Sequence, residues 1–254
     1  YMTRKLIFST LFTMVVVAMV SCIDSNDDGP TVSQTDREII SVTDSSLLDW
    51  ENIPEGYLFE TTCAPNASMN GLKSVKVYAN KRYIYLLVEV NDEVIIKRKY
   101  TPFYIFVNAD NNTATGGYGD QWITADVDFM MEGGIFIDGE NGPYNPLVYK
   151  WWGKDGENGW QWFFDPSVET CGEEGWGPFF QSDLIPLGFS QIVDGKVEIQ
   201  LQYKLIPLPF DDEAFTIGFA VQEEWVDAGI LPNADDAADG SQVLAEKLQV
   251  LIDK

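Results

Sequence analysis

Three groups of residues have types and spacings that bear on chemistry. The first is Asp110-Asn-Asn-Thr-Ala-Thr-Gly116, where Asp110, Asn112 and Gly116 follow the spacing of an oxygen-ligand calcium loop. Alternate side chains turn inward in such a loop, and the glycine permits the tight bend. Ala114 occupies one ligand position and no Glu closes the loop, so it is no EF-hand; Asp120 and Asp126 are the nearest acids to complete a site. The same residues also suit an Asx-rich turn held by side-chain-to-backbone hydrogen bonds. The second group is Trp151, Trp152, Trp160 and Trp162 around a Gly-rich polar loop, with Trp176 close behind. Sugars present apolar C–H faces ringed by hydroxyls, so their receptors combine flat aromatic faces with amide and carboxylate groups. The competing reading is strand aromatics filling a core, and adjacent pairs such as Trp151 and Trp152 must split between the two faces of a strand. The third group is acidic: Asp126 and Asp128 on one face of a strand, and Glu223-Glu224 before Trp225. Two acids at the right separation make a glycosidase pair, whereas charge on an outer strand face is ordinary.

The inventory limits what these groups can do. The chain has 254 residues, a formal net charge of −24 and no histidine. Without histidine, Ser-His-Asp and Cys-His nucleophile systems and His-ligated zinc or haem are excluded. A strongly negative chain lacks the basic field that nucleic acid requires. Carboxylate chemistry, calcium, and recognition by aromatic and amide side chains remain.

The N-terminal segment reads as an address. Arg4 and Lys5 precede the apolar run Leu6–Val20, which is too short to span a bilayer and is expected to be a signal peptide over residues 1–21. Met19-Val20-Ser21-Cys22 resembles the lipobox of bacterial lipoproteins, with lipid expected on Cys22. The acidic stretch after it resembles a signal for export to the outer cell surface. The resemblance implies an outer-membrane lipid anchor and a cell-surface location. Residues 22–45 then form a flexible acidic tether. Removing residues 1–21 takes away two cations and no acid, moving the formal charge to −26. Cys63 and Cys171 are left as an even pair in an oxidising compartment, either bridged or as two thiols.

The rest, residues 46–254, carries the periodicity of strands in one domain. Leu72–Tyr78 alternates, Asn80-Lys81 supplies a turn, and Tyr83–Val90 follows as the second arm of a hairpin. Phe103–Val107 is continuously apolar, as in a strand buried on both faces. A strand is expected over Ala125–Met131, turning at Gly133-Gly134 into Ile135–Ile137. Others are expected at Leu147–Trp152, Trp160–Phe164, Val197–Tyr203, Phe215–Val221 and Leu248–Ile252. Asp183–Phe189 suits one short helical turn, and Ser241–Leu248 suits a helix or an extended segment. The expected class is all-β, an antiparallel, jelly-roll-like β-sandwich with few short helical turns.

Leu48-Asp-Trp50, the Leu72–Val90 hairpin, Tyr104–Asn112 with Thr115-Gly116, Ala125-Asp126, Val197-Glu-Ile199, Gly218-Phe219 and Gly229–Pro232 occur in an order that resembles family 9-type carbohydrate-binding modules and the related DOMON-like sandwiches. The resemblance implies a β-sandwich, carbohydrate binding and structural calcium. The haem-binding DOMON branch normally uses a Met/His pair, which this chain cannot supply. The expected function is therefore non-catalytic capture of poly- or oligosaccharide at the cell surface, for polysaccharide-uptake partners. The alternatives are a structural or interaction lipoprotein of an outer-membrane assembly and a carboxylate-dependent glycoside hydrolase.

Overall fold

A computed structural model describes residues 39–95, 101–118, 121–136, 142–151, 153–157, 176–180 (backbone), 187–203, 210–211 and 213–254. The strands are β1 Phe59–Thr62, β2 Leu72–Asn80, β3 Ile84–Val90, β4 Thr101–Asn108, β5 Phe129–Ile135, β6 Gly142–Tyr144, β7 Leu147–Trp151, β8 Trp176–Phe180, β9 Gly188–Val193, β10 Lys196–Leu201, β11 Ala214–Glu223, β12 Val226–Leu231 and β13 Leu248–Asp253. A 3-10 turn at Leu48–Asn52 precedes them. The all-β expectation holds. The strands form one continuous, curled sheet in the order β6-β9-β10-β3-β2-β13-β11-β4-β5-β7-β8, with β1 paired to β2 and β12 to β11.

The joint lies at β13. Its residues Leu248–Leu251 pair antiparallel with β11, and then Ile252 and Asp253 pair parallel with Ala79 and Asn80 of β2. That parallel step makes the sheet mixed and connects a β2 half to a β4 half. Period-2 alternation then sorts the side chains. Val75, Val77, Ile84, Leu86 and Val88 from the β2 half share one apolar core with Phe103, Ile105, Phe129, Phe215, Ile217 and Phe219 from the β4 half.

The opposite faces are covered as well. Tyr78, Tyr85 and Leu87 lie under Ile40, Val42 and Trp50. Tyr104, Phe106, Met130 and Ala220 lie under Tyr118, Trp122 and Trp151. Ile40 and Val42 are buried, so the chain from residue 39 packs with the domain rather than belonging to a tether that runs to residue 45.

The β2–β3 hairpin turns where Asn80 Oδ1 accepts the backbone N–H groups of Arg82 and Tyr83, both at 2.9 Å. Two local expectations fail, and one left open is decided. The strand expected from Ala125 starts at Phe129, because Val127 instead bridges to Gly117. β5 runs straight through Gly133-Gly134: a Cβ at Gly133 would lie 2.9 Å from the Tyr144 hydroxyl, so this glycine makes room for a ring rather than a turn. Ser241–Lys247 is extended, with Ala245 bridging to Trp122, and Gly188-Phe189 opens β9. Residues 181–186 and the strand expected at Trp160–Phe164 lie outside the described residues.

Candidate functional site

The connection from β4 to β5 covers the outer face of the β4 half, and tryptophans hold it there. Trp122 lies flat on Gly218 of β11, where a Cβ would meet the ring at 2.4 Å. Its indole N–H donates to Pro232 O at 3.2 Å, and the Phe106 ring is 5.3 Å away. Trp151 is clamped between Gly117 and Gly153, with Cβ approaches of 2.0 and 2.4 Å, and donates to Lys154 O at 3.2 Å. Trp151 is thus a core residue and no stacking platform. Trp152, Trp160 and Trp162 lie outside the described residues. Trp176 begins β8, with its backbone paired to that of Trp151.

The Asp110 loop is an Asx-rich turn. Asp110 Oδ1 accepts the Asn112 N–H at 2.9 Å and Oδ2 accepts the Thr115 hydroxyl at 3.0 Å. Asn112 Oδ1 in turn accepts the Ala114 N–H at 3.1 Å. Asp128 Oδ2 receives the N–H groups of Ala109, at 2.7 Å, and Asp110, at 3.3 Å. Asp126 is buried and ion-paired to Lys247, while Asn108 Nδ2 donates to its Oδ2 at 2.9 Å and the Thr124 hydroxyl to its Oδ1 at 3.1 Å. Of the expected calcium set, Asp110 and Asp126 are engaged by protein donors and Asn112 serves its own turn, while Asp120 lies outside the described residues. Among the described residues no group of three acidic, His or Cys side chains converges for a metal ion.

Burial raises the Asp128 carboxyl to about 6, aided by the charges of Asp110 and Asp126 and opposed by its two backbone donors. Asp126 and Asp128 form neither a solvated outer face nor an open acid pair; they hang the loop from β5. Across the sheet, Glu198 of β10 is buried, and no cation pairs with it among the described residues. It accepts the Trp50 indole N–H at 2.5 Å and the Gln191 amide. Burial raises its carboxyl above the usual range, and these two donors oppose the shift.

Cys63 carries a free thiol, which accepts from Asn233 Nδ2 at 3.4 Å and faces Ala64 O. Cys171, its expected partner, and Cys22, the expected lipid site, lie outside the described residues. Among the described residues no helix is long and apolar enough to cross a membrane.

The exposed aromatic is one that the spacing arguments passed over. Trp50, Trp122 and Trp151 are 5%, 1% and 7% exposed, whereas Trp225 is 71% exposed. It sits at the tip of the β11–β12 hairpin, where Glu223 pairs with Val226 and only Glu224 and Trp225 form the loop. Both have positive φ, 51° and 69°. A two-residue loop with that geometry favours Asn-Gly, and a bulky side chain there costs about 1–2 kcal/mol. The usual turn signal was therefore missing, and the feature that could have revealed the site is a Trp between two apolar alternating runs. At its base, Asp227 accepts the amides of Gln121, at 3.0 Å, and Gln222, at 2.9 Å. The tip thus offers an exposed aromatic side chain, which Glu223 and Glu224 precede in the chain. Comparisons with protein-family models, curated proteins and solved structures find no match for this chain.

Proposed function

We propose that this protein is a non-catalytic carbohydrate-binding lipoprotein, held at the outer membrane by lipid on Cys22 and capturing poly- or oligosaccharide at the cell surface. The observation that carries this reading is Trp225, which alone of the four tryptophans with described side chains is presented to solvent, at a hairpin tip and in a strained conformation. An indole whose exposure brings no core packing, and whose backbone costs energy, is accounted for by a ligand that stacks on it. Two of the four acids that the sequence offers for hydrolysis are engaged within the fold, which supports the non-catalytic part of the reading. Asp126 is sealed against Lys247, and one oxygen of Asp128 is bound to backbone N–H groups.

Of the residues expected to hold calcium, Asp110, Asn112 and Asp126 serve protein partners, and this reading needs no bound ion. Anchoring at the cell surface is supported by the lipobox resemblance and the acidic segment after Cys22, and hand-over to polysaccharide-uptake partners is the role proposed for the captured glycan. The test is a panel of immobilised poly- and oligosaccharides probed with the purified protein and with Trp225→Ala. The reading predicts retention of the wild type on a subset of glycans and loss of that retention in the variant. A wild-type protein that binds no glycan on the panel contradicts it.

A further inference from the structure

The Lys247 side chain is buried, and among the described residues every hydrogen-bond and ion-pair partner of its ammonium is an oxygen. Its Nζ pairs with Asp126 Oδ1 and lies 2.7 Å from Thr124 O and 3.2 Å from Thr124 Oγ1. The three oxygens are a carboxylate, a carbonyl and a hydroxyl, the donor types that hold a hard metal cation. An ammonium brings three N–H groups to three acceptors. The Trp122 ring centroid is 5.7 Å from Nζ, close enough to add attraction from its π face.

We infer that Lys247 is the chain's own cation for this oxygen cage, so that the β4–β5 connection is held without a metal ion. The network around it explains what the charge holds. Asp126 Oδ2 receives Asn108 Nδ2 at 2.9 Å, and Asn108 Oδ1 receives the Asn112 N–H at 3.2 Å, which carries the contact into the Asp110 loop. Ile123 donates to Ala245 O at 3.0 Å, so Lys247 arrives on a segment already pinned beside Trp122. Lys247 immediately precedes β13, the strand that joins the two halves of the sheet. A charge supplied by the chain is present whenever that strand docks. A metal ion would stabilise the cover by an amount that depends on its concentration, growing with the logarithm of that concentration above its Kd.

Thermal melts test the inference with the protein in EDTA and in calcium chloride. The wild type is expected to melt at the same temperature in both. Lys247→Met keeps the apolar stem and leaves Asp126 buried and unpaired, and a fall of roughly 6–20 °C is expected. The double variant Lys247→Met with Asp126→Asn removes both charges and is expected to recover a large part of that loss; it also gives a readout if the single variant does not fold. A wild-type melting temperature that falls in EDTA and returns with calcium overturns the inference. So does a Lys247→Met protein that melts like the wild type, or a double variant no more stable than the single one.

Discussion

Asp128 allows a pH prediction whose sign and size both follow from the structure. Its carboxyl is raised from 3.8 to about 6, chiefly by burial. A carboxyl whose folded value exceeds its unfolded value stabilises the fold fully at pH below the unfolded value, and that contribution is lost as pH rises through the folded one. The window is therefore about pH 4 to pH 6. The full shift corresponds to about 3 kcal/mol. Asp128 is only half-buried, and solvent screening brings the expected loss to ~1–2 kcal/mol. Asp128→Asn keeps an acceptor for the N–H groups of Ala109 and Asp110 but carries no charge beside Asp110 and Asp126. Urea unfolding of both proteins between pH 4 and pH 7.5 isolates the effect, because the two differ at this one carboxyl. The variant should gain on the wild type by ~1–2 kcal/mol as pH rises through the window. A difference that stays flat refutes the reasoning. A wild type that gains instead means that the ionised carboxylate is favoured, as it would be beside a bound cation.

Other expectations follow from single contacts. Trp50→Phe keeps most of the ring but strips the buried Glu198 carboxylate of one of its two given donors, and should cost about 1–3 kcal/mol in urea unfolding; a variant as stable as wild type would mean the hydrogen bond carries no weight. Gly218→Ala places a methyl group against Trp122 and should cost about 1–3 kcal/mol with an altered near-ultraviolet dichroism of tryptophan, whereas an unchanged spectrum and stability would show that the ring moves freely aside. Cys22→Ala should leave the protein as uncleaved precursor or release it from the membrane fraction, and normal, processed membrane retention would contradict the lipid anchor.

The sequence made the strands legible wherever a single period governed a whole segment. Alternation fixed the β2–β3 hairpin and its Asn80 turn, and the continuous apolar run marked β4 as buried on both faces. It misled where glycine served packing. Gly133 accommodates Tyr144 inside a strand, and Gly117, Gly153 and Gly218 accept indole rings, so the same residues that suggest turns or a polar loop mark tryptophan sockets. For that reason Trp151 resembled a platform while being core. The Asp110 loop was legible as an Asx turn or a calcium loop. The choice depends on Lys247, more than a hundred residues away, which local spacing could not reveal. Trp225 was hidden for the converse reason, because its hairpin turns without glycine or asparagine.

The carbohydrate-binding account is tested most directly by titrating a glycan retained on the panel against wild type and Trp225→Ala, reading intrinsic tryptophan fluorescence and a thermal melt of each protein. The account predicts a fluorescence change for the wild type and none for the variant. Their melts should be nearly equal, because an indole 71% exposed contributes little packing. A variant that binds the glycan as tightly as the wild type contradicts it.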